Sequence, residues 1–199
     1  MKSTELPEVC GIQSILYGAE KTTDRVYVYL HGAGEFGQGA EGQYQYPGFA
    51  TLLRDGNLSL KQPLIIACCM AGTHWLPDAL KPYLDEVSAH FGHAQIDLIG
   101  YSRGGEGIYA LLSHLRNPAL RTATIINSAI PPMVLPHPTV PLHVIHASQD
   151  QFTSLANVKD FVGSHTDSNI KLTEWQGDHF SIEAIARSGV WKDWFELPK

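Results

Sequence analysis

The stretch IDLIGYSRGGEGIYALLSHL (residues 96–115) presents one serine in a setting suited to nucleophilic chemistry. An apolar, β-branched run leads into Gly100-Tyr101-Ser102-Arg103-Gly104, and strong helix formers follow directly. G-x-S-x-G between a strand and a helix is the pattern of a sharp turn that lifts a serine Oγ clear of a sheet. Glycines two positions to either side are needed because side chains there would collide with the flanking strand and helix. The helix that follows turns its free N–H groups and positive dipole end toward the serine, which favours a developing negative charge.

A serine hydroxyl needs a base, and the base needs a group that orients it. In a sheet of this kind the partners follow the serine in the order acid, then histidine. The apolar run PLHVIHA ends in Ser148-Gln149-Asp150, and IKLTEWQ ends in Gly177-Asp178-His179-Phe180. Asp150 and His179 therefore leave their strands at the same sheet edge as Ser102, the edge where open α/β sheets bind ligands. Each has a rival. Asp178 adjoins His179 but also suits a helix N-cap. His146 lies at the end of the strand before Asp150, where a packed, hydrogen-bonded role fits it better. Asp97 falls too early, at the start of its strand.

Acyl transfer also requires two N–H donors aimed at a tetrahedral oxyanion. The amide of Arg103 is one candidate. The other comes from His31-Gly32-Ala33-Gly34-Glu35, which follows the run VYVYL; Ala33 is the first choice and Gly34 the second. His31 reads as a structural peg for this loop. Glu35 suits loop orientation or substrate contact, and equally a merely solvated side chain. Gly32, Gly34 and Gly37 also spell G-x-G-x-x-G, the signature of a dinucleotide site. Its context is wrong: Gly39, Gly42 and Pro47 delay the helix, and the next strand ends in Cys-Cys-Met-Ala-Gly rather than in an acid.

These loops must be carried by a largely parallel sheet. Strands are expected at residues 12–17, 26–30, 64–70, 96–100, 123–127, 142–146 and 170–175, and helices at 49–54, 77–91, 103–116, 155–164 and 180–195. The alternation of strand and helix predicts an α/β fold of about seven strands with helices on both faces. The first two strands, separated by a polar turn, are expected to form a hairpin. Prolines at 131, 132, 136, 138 and 141 exclude a helix between the fifth and sixth strands and its successor. No repeat or linker divides residues 1–199, so one domain is expected.

Composition bounds the function classes. The net charge of −6 and pI near 5.9 argue against nucleic-acid binding, which needs a basic stripe. The longest apolar run, residues 64–71, is too short to span a bilayer, and residues 1–10 lack a signal-like stretch. Three cysteines without CxxC spacing suggest neither a disulfide framework nor a zinc site. No metal or cofactor is expected, and the setting expected is cytoplasmic. Oligomeric state is not legible.

The ordered set HGAGE, GYSRGG, Asp150 and GDHF resembles the α/β-hydrolase superfamily, over roughly residues 12–195. Within it the chain is similar to small lidless esterases of the phospholipase/carboxylesterase and polyhydroxybutyrate-depolymerase-like groups. The resemblance implies Ser102 as nucleophile, His179 as general acid/base, Asp150 as its orienter, and the amides of Ala33 and Arg103 as the oxyanion hole. It implies a small ester or thioester substrate, with Gly34, Trp75, Tyr101 and Phe152 at the substrate, and Phe36, Met133 and Phe180 as further pocket candidates. The Arg103 side chain is also placed to attract a substrate carboxylate. Two departures stand out. The N-terminus looks too short for the family's additional first strand, and where the family commonly places a helix or lid after its sixth strand this chain has only residues 128–141. The missing lid implies an open, shallow site suited to short-chain or polar esters. A peptidase or amidase on the same fold, or a binding protein that retains the triad without turnover, are the competing classes.

Overall fold

The computed structural model describes residues 3–19, 21–114, 117–130, 140–165 and 169–192. Runs rich in Val, Ile and Tyr form the strands β1 (Ser3–Val9), β2 (Ile12–Tyr17), β3 (Arg25–Leu30), β4 (Leu64–Cys69), β5 (Gln95–Tyr101), β6 (Leu120–Ile126), β7 (Leu142–Ala147) and β8 (Ile170–Trp175). The helices are α1 (Gly39–Gly42), α2 (Phe49–Arg54), α3 (Pro77–His90), α4 (Arg103–His114), α5 (Leu155–Gly163) and α6 (Ile182–Ser188). The strands make one eight-stranded sheet in the order β1-β2-β4-β3-β5-β6-β7-β8. β1 and β2 pair antiparallel with their neighbours, and the pairs from β4 and β3 through β8 are parallel.

Alternation along β3 shows why both faces are covered. Val26, Val28 and Leu30 join the core under α3 and α4, while Tyr27 and Tyr29 join Phe49 of α2, Ile185 of α6 and Trp191 on the other face. A strand buried on both sides reads as a nearly continuous apolar run, as VYVYL, LIIACC and, apart from Asp97, IDLIG do. Among the described residues no helical lid stands over the strand ends. Met133 and most of the proline-rich connection lie outside the described residues, as does the C-terminal part of the helix expected at 180–195.

Two expectations are corrected. Residues 12–17 do not form a hairpin with the next strand: β2 pairs with β1 and β4, and β4 separates it from β3. Residues 21–24 instead lead into β3, and β4 later fills the place between β2 and β3. The N-terminus also supplies a further strand, β1, so the sheet has eight where about seven were expected. β1 escapes a hydrophobicity reading because it is an exposed edge strand, and Pro7 sits where its register shifts between Leu6 and Val9. Proline is tolerated at such edges because no ladder hydrogen bond is lost there.

Asp97, at the N-terminal end of β5, explains itself structurally. Its fully buried carboxylate accepts hydrogen bonds from Arg25 Nη2 at 2.8 Å, Arg121 Nε at 2.8 Å and Thr122 Oγ1 at 2.7 Å, tying β3, β5 and β6 together. Removing it would leave two guanidinium groups without their buried partner. Asp97→Ala is expected to cost about 3–5 kcal/mol, read as a lower urea midpoint at unchanged slope.

Candidate active site

β5 ends where Ser102 takes a left-handed backbone, φ 52°, and α4 begins at the next residue. The strain is imposed by packing. A Cβ at Gly100 would lie 2.5 Å from the Gly104 carbonyl carbon, and one at Gly104 would run into the carbonyl oxygen of Leu30. The Ser102 amide donates to Ile126 O at 2.9 Å, which fixes the turn against β6.

The loops after β7 and β8 bring Asp150 and His179 to this serine. His179 Nε2 lies 3.1 Å from Ser102 Oγ, and His179 Nδ1 lies 2.7 Å from Asp150 Oδ2. The buried carboxylate takes the Nδ1 proton as its hydrogen-bond donor, so Nε2 is left to accept from the serine hydroxyl. Asp150 Oδ1 accepts the amides of Phe152 at 2.8 Å and Thr153 at 2.9 Å. Burial works to raise the Asp150 pKa, but the bonds from His179 and these amides outweigh it and hold the carboxyl below the usual carboxylate range.

The rivals have other partners. Asp178 Oδ1 accepts the Phe180 amide at 3.0 Å and the Ser181 hydroxyl at 3.2 Å, an Asx turn that shapes the histidine loop. His146 is buried, with Nε2 3.2 Å from Thr153 O and 4.0 Å from Asp150 Oδ2. Burial lowers its pKa, so it stands neutral behind the acid.

The loop after β3 is pinned from below. His31 Nδ1–H donates to Gly32 O at 2.7 Å while Nε2 accepts the Cys69 amide at 3.1 Å, and burial pushes its pKa down to about 4. His31 is thus a neutral peg. Trp75 is a correction: its buried indole donates to His31 O at 3.0 Å and packs on the His31 and Phe36 rings behind the loop, away from the cleft. Phe36 is likewise part of this support. Burial pushes the Cys68 thiol up to about 12, an inert core group.

Ala33, Gly34, Tyr101, Ser102, Arg103, Phe152, His179 and Phe180 all border one cleft of about 610 Å³. Its floor includes Tyr29, Phe49, Ala50 and Ile182, and its rim carries the exposed rings of Tyr46, Phe152 and Phe180. Residues of α2 and the start of α6 line it beside Ser102 and His179. The volume is ordinary for a small-molecule site. The Arg103 amide opens α4, where the first-turn N–H groups have no partner within the helix. The Arg103 guanidinium is engaged by Glu106 at 2.8 Å and His74 at 3.0 Å, which weakens its pull on a substrate carboxylate.

Asn127 escaped the sequence reading. Just past β6 with φ 47°, it donates from Nδ2 to His179 O at 2.9 Å and accepts the Ala147 amide at 2.8 Å. Tyr101 donates to the same His179 carbonyl at 3.1 Å. Together they hold the histidine loop against the strand ends. The available signal was an asparagine, tolerant of left-handed backbone, directly ending an apolar strand.

Three solved structures are similar over this whole arrangement. A thermostable esterase superposes with a TM-score of 0.69 at 15% identity, over 98% of this chain and 62% of its own, longer chain. A carboxylesterase from Mesorhizobium loti gives 0.67 at 18% identity, over 98% and 99%. The chain has the α/β-hydrolase fold. A poly(3-hydroxybutyrate) depolymerase from Bordetella parapertussis shares that fold, with a TM-score of 0.67 at 13% identity over 100% and 92%. No family model and no curated protein matches the sequence. In this α/β-hydrolase fold Ser102, Asp150 and His179 all stand at the C-terminal edge of the parallel strands.

Proposed function

We propose that this protein is a serine hydrolase of carboxylic esters or thioesters of small or short-chain acids, working through an acyl-enzyme. The observation that carries the reading is the unbroken hydrogen-bonded line Ser102–His179–Asp150, at 3.1 and 2.7 Å, opening into a substrate-sized cleft. Ser102 Oγ attacks the carbonyl carbon as its proton passes to His179 Nε2. Asp150 stabilises the imidazolium that forms, and the amides of Ala33 and Arg103 receive the oxyanion. Collapse expels the alcohol or thiol, which takes the proton from His179. Water, activated by the same imidazole, then releases the acid. Gly34, Tyr101 and Phe152 border the space left for substrate. The esterases among the fold's solved examples support the ester class. The acidic composition and cysteines without disulfide spacing support a cytoplasmic setting.

The direct test is covalent. A fluorophosphonate probe should add one adduct to the protein, mapped by peptide mass to Ser102, and Ser102→Ala should abolish it. Labelling that survives Ser102→Ala would overturn the assignment. Chromogenic esters, thioesters and anilides of matched acyl groups then rank the bond cleaved.

A further inference from the structure

The cleft holds a carboxyl that the mechanism above does not use. Glu35 closes the turn after Ala33 and borders the cleft, yet its side chain is only 12% exposed. Its nearest basic group is His31 Nδ1 at 4.0 Å, and that nitrogen spends its proton on Gly32 O, leaving a neutral ring. Among the described residues no lysine or arginine pairs with Glu35, and the Arg103 guanidinium in the same cleft is taken by Glu106 and His74. Burial raises the Glu35 carboxyl to about 7, against the smaller, opposite pull of the Glu35 and Gly32 amides.

Tyr29 borders the same wall from β3. Its ring packs on Phe49 at 4.8 Å, and its hydroxyl has no hydrogen-bond partner among the described residues. Burial, with the charge of Glu35 in the same cleft, raises its pKa. Phe49, Ala50 and Ile182 give the same cleft apolar surface, and the buried Gln43 also borders it. A leucine or methionine would fill the position of Glu35 without the cost of a buried carboxyl that no cation balances. Polar groups kept at that cost inside a substrate cleft mark a binding function.

We propose that Glu35, with the Tyr29 hydroxyl, forms a polar subsite that receives a hydrogen-bond donor on the substrate, a hydroxyl or an ammonium group. Glu35 is then a specificity-determining residue. The proposal rests on the serine-hydrolase reading and narrows its substrates from short esters in general to short esters bearing a donor. A bare alkyl group in the same place would strip water from the carboxyl and return nothing, so discrimination follows from an unpaired site group as much as from a new bond.

The experiment compares kcat/KM for ethyl propanoate, ethyl 3-hydroxypropanoate and β-alanine ethyl ester, with 2-hydroxyethyl propanoate testing the alcohol side. Wild type should favour at least one donor-bearing ester over its plain counterpart. Glu35→Leu should cut that preference about tenfold. Glu35→Gln, close in size, should keep most of a preference for hydroxyl and lose one for ammonium, which separates the two donors. A wild-type ratio at or below one overturns the subsite. So does a ratio that neither variant moves, or an equal fall on all esters, which is the mark of a loop-building role. Fluorophosphonate labelling of wild type is run alongside. Labelling with an unmoved ratio sinks the subsite alone, and absence of labelling sinks the hydrolase reading with it.

Discussion

Ser102→Ala is expected to lower kcat for a short-chain ester about a millionfold, and His179→Ala by nearly as much. The double variant should fall no further. The reason is that the two groups perform one act. Without Oγ there is no acyl-enzyme for the imidazole to make or break, and without Nε2 at 3.1 Å the hydroxyl keeps its proton and stays a weak nucleophile. What survives is the contribution of the oxyanion amides and of binding in the cleft, about 10³–10⁴ over water, which all three variants should share. Because alanine and serine meet the same strain at φ 52°, Ser102→Ala should melt close to wild type. Kinetics on protein free of wild-type contamination, with the melting temperature beside them, read the outcome. Additive losses, each multiplying the other, would show that serine and histidine act independently and not as a pair.

That so much of this site was legible beforehand follows from where its constraints lie. The nucleophile turn is written into neighbouring residues, because Gly100 and Gly104 must be small for reasons of contact within a few positions and with one adjacent strand. Asp150 and His179 could be placed because each follows within a few residues of a run read as a strand, and in a parallel sheet every such end emerges at one edge. Strand pairing is different. Nothing in residues 12–30 reveals that residues 64–69 will insert between the first pair of expected strands, since that contact is closed only in three dimensions. β1 was hidden because an exposed edge strand has no reason to be apolar. Trp75 was misplaced for a related reason: an aromatic ring beyond a strand end can face the cleft or the underside of the loop, and only the bond to His31 O decides it. Glu35 reads in the sequence equally as a loop or substrate group and as a solvated side chain, and its burial removes the solvated reading. The share of α2 and α6 in the cleft was also invisible, because they are brought together from distant parts of the chain.

The acid makes the sharpest remaining contrast, since Asp150 and Asp178 both sit beside the histidine in space or in sequence. Asp150→Asn is expected to reduce kcat about 10⁴-fold near neutral pH, with the fold retained. The asparagine oxygen will stay with the Phe152 and Thr153 amides, which donate to Oδ1 at 2.8 and 2.9 Å. That choice turns its NH₂ toward His179 Nδ1, where a carboxylate oxygen stood at 2.7 Å. Two donors cannot share that contact, so the ring takes the tautomer protonated at Nε2 and can no longer accept the serine proton. His146 offers no rescue, because it is neutral and held at Thr153 O. Asp178→Asn keeps the oxygen that accepts from Phe180 and Ser181, so its Asx turn persists and kcat should change by no more than a few-fold. Steady-state kinetics on the two variants decide between the carboxylates. A larger loss from Asp178→Asn would move the acid to the histidine's own loop, where it would have to act through the backbone of the residue it orients.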